Sequence, residues 1–323
     1  MANGLGDPRL KAVLAAGASL ALYLAPWFIP FVGTTFTIWC PAPLILLYRR
    51  LGLGVGRTGL IMAAGGAVAF FLSLGAPLAG FYYLFHAALA LVLGEAPWWR
   101  VPPDRAVAVA AGAGLTVMLV VAWSGGVFSI SGLSDMQGPY WQEKLAQVLE
   151  IYRRSGLSEQ EIEAARQLLT SLGGAIIRLA PGILATGALL LAWVNLLVTL
   201  RLDRSRSAPA SLDTWQAPEV LVWVLIPAGL AMALTSGFWF WLGANLVLVV
   251  SLVYFFQGMA VIAYWLHRKK ASGLIKTVVY LLVAVEFFVA ILVAAIGLFD
   301  IWFNFRRLPS AAPPPAAGPA SGE

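Results

Sequence analysis

Long apolar runs separated by short polar turns dominate the chain. About nine of them approach the length of roughly 20 residues that a helix needs to cross a bilayer. They lie near residues 11–31, 33–48, 58–75, 77–94, 105–124, 176–200, 218–236, 239–266 and 274–301. The second run is short and contains Pro41 and Pro43, so it is a candidate for a broken or re-entrant segment, with eight spans as the alternative. The pattern predicts an all-α, polytopic transmembrane helical bundle, with residues 1–308 as a single integral membrane domain.

A long polar stretch after the fifth run predicts two amphipathic helices. Leu145 and Leu149 recur at helical spacing, and the residues from Ser158 to Glu161 have the form of a capping box that opens a second helix. We expect a helical hairpin over residues 140–172 on the outer, extracytoplasmic side. It is either a lid over an outward-facing site or an element that packs on the membrane surface.

Composition agrees with this architecture. Of the 323 residues, 60% are hydrophobic and only 11% are charged, which excludes a disordered chain and an ordinary soluble domain. One cysteine excludes an internal disulfide, and two histidines beside that thiol exclude a His-rich or Cys-rich metal site. We therefore expect no cofactor. The tail, residues 309–323, is almost entirely Pro, Ala, Gly and Ser, a composition that predicts disorder.

The net charge of +6 comes from basic residues beside the spans, where they meet anionic lipid headgroups rather than nucleic acid. Basic flanks are poorly translocated, so their loops are expected in the cytoplasm together with the N-terminus of a bacterial inner-membrane protein. The basic residues that support this orientation follow the second, fourth, sixth and eighth spans: Arg49, Arg50, Arg57, Arg100, Arg105, Arg201, Arg204, Arg206, Arg268, Lys269, Lys270 and Lys276. Nine spans would leave Arg306 and Arg307 outside, against this rule. Expected partners are the lipid bilayer, a small-molecule ligand or another membrane protein.

Catalytic signatures are missing from the sequence. It has no H-E-x-x-H, no G-x-x-x-x-G-K-[ST] and no G-x-S-x-G motif, so we expect that the protein is not an enzyme. The glycines of residues 52–56 superficially resemble a phosphate loop. They precede a span and follow no strand, which indicates a turn.

Five polar residues within the spans are candidates for binding a substrate. An ionisable group near the bilayer centre costs several kcal/mol unless it is paired or hydrated. His86 lies midway through the fourth span and Glu286 about 12 residues into the ninth, so both are expected near the midplane, where they could pair. Each is either a substrate contact or protonatable switch, or a neutral group satisfied by its neighbours. Arg178 opens the sixth span, where it either reaches headgroups or faces an anionic ligand. Asn245 and Gln257 are interior amides whose default role is to bond helices together.

Several blocks resemble the YybS-like family, uncharacterised bacterial membrane proteins grouped under a domain of unknown function. They are PAPLILLYRR (41–50), YFFQG (254–258) and GLFDIWFNFRR (297–307). Asn304 stands where the family pattern leads us to expect an acid. Within the last block, Asp300 is expected to pair with Arg306 or Arg307.

The family is distantly similar to the membrane substrate-binding components of energy-coupling vitamin transporters. This resemblance implies binding or uptake of a small molecule. The function expected from the sequence is therefore a bacterial inner-membrane protein that binds or transports a small molecule. The alternative is a non-transporting membrane interaction or assembly protein.

Overall fold

The computed structural model describes residues 7–124, 139–203 and 212–308, except for the side chains of residues 139–141 and 212. Within these ranges the chain forms helices and no strand, which confirms the all-α prediction. The predicted disordered tail lies outside the described residues. The chain divides into two compact units, Met1–Ser207 and Ala208–Glu323.

The first unit contains eight helices: α1 (Pro8–Phe28), α2 (Val32–Thr37), α3 (Ala42–Leu51), α4 (Leu53–Ser73), α5 (Pro77–Glu95), α6 (Pro103–Ser124), α7 (Pro139–Arg154) and α8 (Glu159–Leu202). The second contains four: α9 (Val222–Leu234), α10 (Gly237–Arg268), α11 (Gly273–Val285) and α12 (Phe287–Phe303). Two short 3-10 turns, Leu212–Thr214 and Glu219–Leu221, precede α9.

Six of the described helices are long and apolar enough to cross a membrane, namely α1, α4, α5, α6, α8 and α10. A seventh crossing is counted if the bent pair of α11 and α12 forms one span. The expected number of about nine is therefore not reached. The second predicted span is split by a turn over residues 38–41, the seventh contains a helix of only 13 residues, and the ninth is bent by 104°. The break in the second span falls at its prolines, which cannot donate a backbone hydrogen bond.

Ion pairs gather several helix ends at one end of the first unit. Arg49, at the end of α3, donates from Nε to Asp203 Oδ2 at 3.0 Å. Asp203 is the residue that directly follows α8. Arg57, near the start of α4, forms two hydrogen bonds with Glu95 at the end of α5, at 2.8 and 3.0 Å. Between the two arginines, Gly52 adopts a φ of 88° and turns the chain from α3 into α4. The loops at these helix ends are among those that the distribution of basic residues predicted to lie on one side of the membrane.

The predicted hairpin is present, but its second helix is longer than expected. Leu145 and Leu149 of α7 pack against Ile162 of α8. The capping box also forms, because the Ser158 backbone N–H donates to Glu161 Oε2 at 2.8 Å and the Glu161 N–H donates to Ser158 Oγ at 3.3 Å. Helix α8 has 44 residues in all and is about 66 Å long at 1.5 Å per residue. The hairpin helix and the sixth span are therefore one continuous helix, since glycines and one interior proline do not end it.

Two glycines set the helix packing in the second unit. A Cβ on Gly297 of α12 would overlap the Tyr254 carbonyl of α10, and one on Gly258 would overlap the Val293 carbonyl. The two backbones are thus in direct contact at this crossing, as small residues allow between membrane helices.

The bent pair starts and finishes at the same end of the second unit. His267, near the end of α10, places Nδ1 3.3 Å from Asp213 Oδ2. Arg306, just after α12, donates from Nη1 to the carbonyl oxygen of the same Asp213 at 2.7 Å. Helices α11 and α12 therefore form a V that returns to its starting end, rather than a straight ninth span. This geometry removes the conflict that Arg306 and Arg307 posed for the distribution of basic residues.

Candidate functional site

His86 lies in the middle of α5, as its place in the apolar run predicted, and its side chain is 2% exposed. Three aromatic rings meet the imidazole edge to face. The ring centroids of Tyr23, Tyr82 and Phe85 lie 5.7, 5.3 and 5.1 Å from that of His86. One of these residues belongs to α1, and the other three lie within about one turn of α5. We call the four residues, Tyr23, Tyr82, Phe85 and His86, the His86 centre.

A hydrogen-bond network beside this centre joins α1, α5 and the break in the second segment. Ser19 Oγ donates to the Cys40 carbonyl at 2.6 Å and also lies 2.6 Å from the Tyr83 hydroxyl, which then donates to it. Tyr23 donates its hydroxyl proton to the Ala79 carbonyl at 2.6 Å. Ser19 and Tyr23 were missed from the sequence, because a serine and a tyrosine on an apolar helix have no motif that separates them from packing residues.

One nitrogen of the imidazole lacks a well-formed hydrogen bond. The Tyr82 carbonyl interacts with the ring electrostatically, but Nδ1 makes no hydrogen bond of ordinary geometry with any described residue. A buried polar atom without a partner costs about 1–3 kcal/mol, and aromatic edges offer no lone pair to offset that cost. The centre can therefore give a hydrogen bond to, or accept one from, a molecule that enters it.

Asn195 of α8 bonds to the same broken segment. Its Nδ2 donates to the Ile38 carbonyl at 2.8 Å and to the Leu191 carbonyl at 2.9 Å. The Ile38 carbonyl lies in the turn between α2 and α3, where the regular helical acceptor pattern is interrupted. In an apolar surrounding such a carbonyl needs a partner, and the amide supplies it.

The second unit holds a buried ion pair, which confirms the expected pairing of Asp300. Arg306 donates from Nη2 and Nε to Asp300 Oδ2 at 2.7 and 3.2 Å, and both side chains are fully buried. Gln257 links this pair to the loop before α9, donating from Nε2 to Asp300 Oδ2 at 3.1 Å and accepting the Ala217 N–H at 3.0 Å. Arg306 also bonds to the Trp215 carbonyl at 2.8 Å. Gln257 thus takes the default role of an amide that joins chain segments.

Asn304 explains how Arg306 reaches Asp300. It ends α12 with a left-handed φ of 42°, a conformation that asparagine tolerates better than most residues. Its side chain accepts the Leu308 N–H and donates to the Leu308 carbonyl, both at 2.9 Å. An ionised acid, which has no proton to donate, could make only the first of these bonds. The amide therefore suits this turn better than the acid that the family pattern led us to expect.

The other candidates lie elsewhere. Glu286 was expected within a continuous helix. It lies instead at the exposed break between α11 and α12, with extended backbone (φ −96°, ψ 108°). It belongs to the second unit, whereas His86 belongs to the first. Arg178 lies on the surface of α8, well inside the helix rather than at its start. Asn245 donates to the Trp241 carbonyl of its own helix at 2.7 Å.

Among the described residues, no three His, Cys, Asp or Glu side chains group closely enough to hold a metal ion. Neither a curated protein nor a solved structure matches the chain. A family model described as "Predicted membrane protein (DUF2232)" matches residues 17–301, a range that includes His86, Gln257 and Asp300. This match confirms the expected membership in an uncharacterised membrane-protein family. The chain is therefore a multi-pass membrane protein that belongs to the DUF2232 family.

Proposed function

We propose that this protein binds or transports a small molecule, and that the molecule contacts the His86 centre. The observation that carries this proposal is the buried imidazole whose Nδ1 forms no hydrogen bond of ordinary geometry with a described residue. A polar group at mid-helix in an apolar run is costly, and its use as a ligand contact accounts for that cost.

The chemistry of the centre limits the ligand. Aromatic edges and apolar helix faces favour a neutral, largely apolar molecule, because a charged group at this depth would lose its hydration. One hydrogen-bonding group on the ligand would pair with the imidazole. We further propose that the ligand is bound without being transformed. The distant resemblance to substrate-binding components of vitamin transporters supports this function by analogy only.

Cys40 offers a reporter already in place. Its side chain is fully buried, and its carbonyl oxygen accepts the Ser19 hydroxyl in the network beside the His86 centre. If the centre opens to admit a ligand, N-ethylmaleimide should label Cys40 slowly in native membranes, and a Cys40→Ala variant should stay unlabelled. Labelling that occurs only after denaturation would favour the alternative of an assembly protein with a permanently filled interior.

A direct test compares the two histidines of the chain. His86→Phe keeps an aromatic side chain among aromatic neighbours, so we expect it to fold but to lose the ligand contact. His267→Phe changes the surface histidine and is the matched control. Small molecules extracted from the purified proteins should include a species present in the wild type and His267→Phe but depleted in His86→Phe. An identical extract from all three proteins would contradict the proposal.

We also propose that the basic end of the first unit faces the cytoplasm of a bacterial cell, with the N-terminus, and that the hairpin lies outside. The support is the poor translocation of basic flanks. A Gln147→Cys substitution in a Cys40→Ala background should react with an impermeant maleimide in intact spheroplasts. Reaction only after lysis would reverse the orientation.

A further inference from the structure

Cations without counterions gather at one end of the second unit. Lys269 and Lys270 follow α10, Lys276 lies in the first turn of α11, and Arg307 follows the V formed by α11 and α12. Because Arg306 and His267 both contact Asp213, the end of the V and the end of α10 are adjacent. The V therefore brings Arg307 to the end that carries the lysines.

These four side chains form no ion pair with any described residue. None of the acids in this region pairs with the four cations: Asp300 binds Arg306, the Asp213 carboxylate lies against His267, and Glu219 forms no ion pair with a described residue. The basic end of the first unit differs, because Arg49 and Arg57 there bind Asp203 and Glu95. The second unit thus presents positive charge that the described part of the chain does not neutralise.

Aromatic residues mark the depth of this end in the membrane. Arg268 lies over the Trp265 ring, with Cζ 5.6 Å from its centroid, and donates to the Tyr264 hydroxyl at 3.1 Å. Trp and Tyr concentrate where the hydrocarbon meets the headgroups. The cations just beyond them are therefore at headgroup level.

Helix α11 supplies an apolar surface next to the cations. Leu274, Leu281 and Val285 are 75%, 60% and 70% exposed, and a single residue of the helix, Val283, is buried. With arms of 13 and 17 residues and a bend of 104°, the tip of the V lies roughly 17 Å from the line joining its ends. That depth is about half of a hydrocarbon core roughly 30 Å thick, so acyl chains would cover this surface.

We propose that the base of the V, formed by Lys269, Lys270, Lys276 and Arg307, binds anionic phospholipid. The phosphate and any second anionic group lie against the cations, and the acyl chains lie along α11. Charge complementarity selects an anionic over a zwitterionic headgroup, and the adjoining apolar helix selects a lipid over a soluble acidic partner.

The test uses purified wild-type protein in detergent, titrated with dioleoylphosphatidylglycerol or dioleoylphosphatidylcholine. Phosphatidylglycerol should raise the melting temperature, and phosphatidylcholine should not. In 0.5 M NaCl the stabilisation should largely disappear because salt screens exposed charges. The triple variant Lys269→Gln, Lys270→Gln, Lys276→Gln should raise the apparent Kd for phosphatidylglycerol by at least about tenfold.

A control variant removes the same number of cations from the hairpin: Lys144→Gln, Arg153→Gln, Arg154→Gln. It should bind phosphatidylglycerol as the wild type does. Equal stabilisation by both lipids, or an equal loss in the control variant, would overturn the proposal. Stabilisation by polyglutamate but not by phosphatidylglycerol would assign the surface to an acidic protein instead. If the lysine variant does not fold, the salt series on the wild type decides the question.

Discussion

The substitution Asp300→Asn tests whether the buried ion pair holds the second unit together. Asp300 Oδ2 accepts two hydrogen bonds from Arg306 and one from Gln257, and both charged side chains are fully buried. Asparagine preserves the shape of the side chain but leaves the guanidinium without its counterion. Removing one partner of a buried pair costs about 3–5 kcal/mol. The attraction of two charges 4 Å apart at an effective dielectric constant of 20, about 4 kcal/mol, agrees with that range.

The assay is a double-mutant cycle. The free energy of unfolding in a detergent titration is measured for the wild type, Asp300→Asn, Arg306→Gln and the double variant. Each single variant leaves one buried partner unsatisfied, whereas the double variant removes both charges. The double variant should therefore lose less stability than the sum of the single losses.

The exposed pair of Arg57 and Glu95 provides the comparison. The Arg57 side chain is half exposed, so solvent and salt already weaken its attraction. Arg57→Gln should cost far less than Asp300→Asn. Equal losses for the two variants, or strictly additive losses in the cycle, would show that the pair around Asp300 contributes no more than a solvated helix end.

Three further predictions concern packing and capping. Gly297→Ala should cost about 1–3 kcal/mol and separate α10 from α12, whereas Gly187→Ala, with open space around its Cα, should be tolerated in the same melting assay. Ser158→Ala removes the capping box and should cost about 1 kcal/mol, seen as faster hydrogen exchange in the first turn of α8. The Ser158 backbone N–H and hydroxyl lower the pKa of Glu161, so its contribution is present above its unfolded pKa and is lost as the pH falls through the lower folded pKa. Hydrogen exchange at that turn should therefore increase on acidification in the wild type but much less in Glu161→Gln.

Local signals in the sequence predicted several elements correctly. The capping box at Ser158 formed because its bonds join residues three apart, and local spacing alone specifies such a motif. His86 lies mid-helix because apolar run length fixes depth in a membrane helix. The break near Pro41 followed from the missing N–H of proline. These predictions needed no knowledge of which helices are neighbours.

Other predictions failed where the answer depended on long-range contacts. The hairpin helix and the sixth span proved to be one helix, because no local signal states whether a polar helix continues into an apolar one. Glu286 was expected inside a straight span, yet the chain bends there without proline or glycine at the break. A hydropathy pattern records how apolar a segment is but not its direction, so the return of the V could not be read from it.

The sequence by itself determined that this chain is helical and embedded in a membrane, because burial of apolar residues and satisfaction of backbone hydrogen bonds act segment by segment. It also predicted that Asp300 pairs with Arg306 or Arg307, since an acid and an arginine a few residues apart can meet across a single turn, and the structure shows that the partner is Arg306. Only the tertiary structure decided that Gln257 and the loop before α9 join that pair, and that Tyr23 faces His86. Those contacts join residues distant in the chain, and they depend on the close approach of helices rather than on the composition of any one of them.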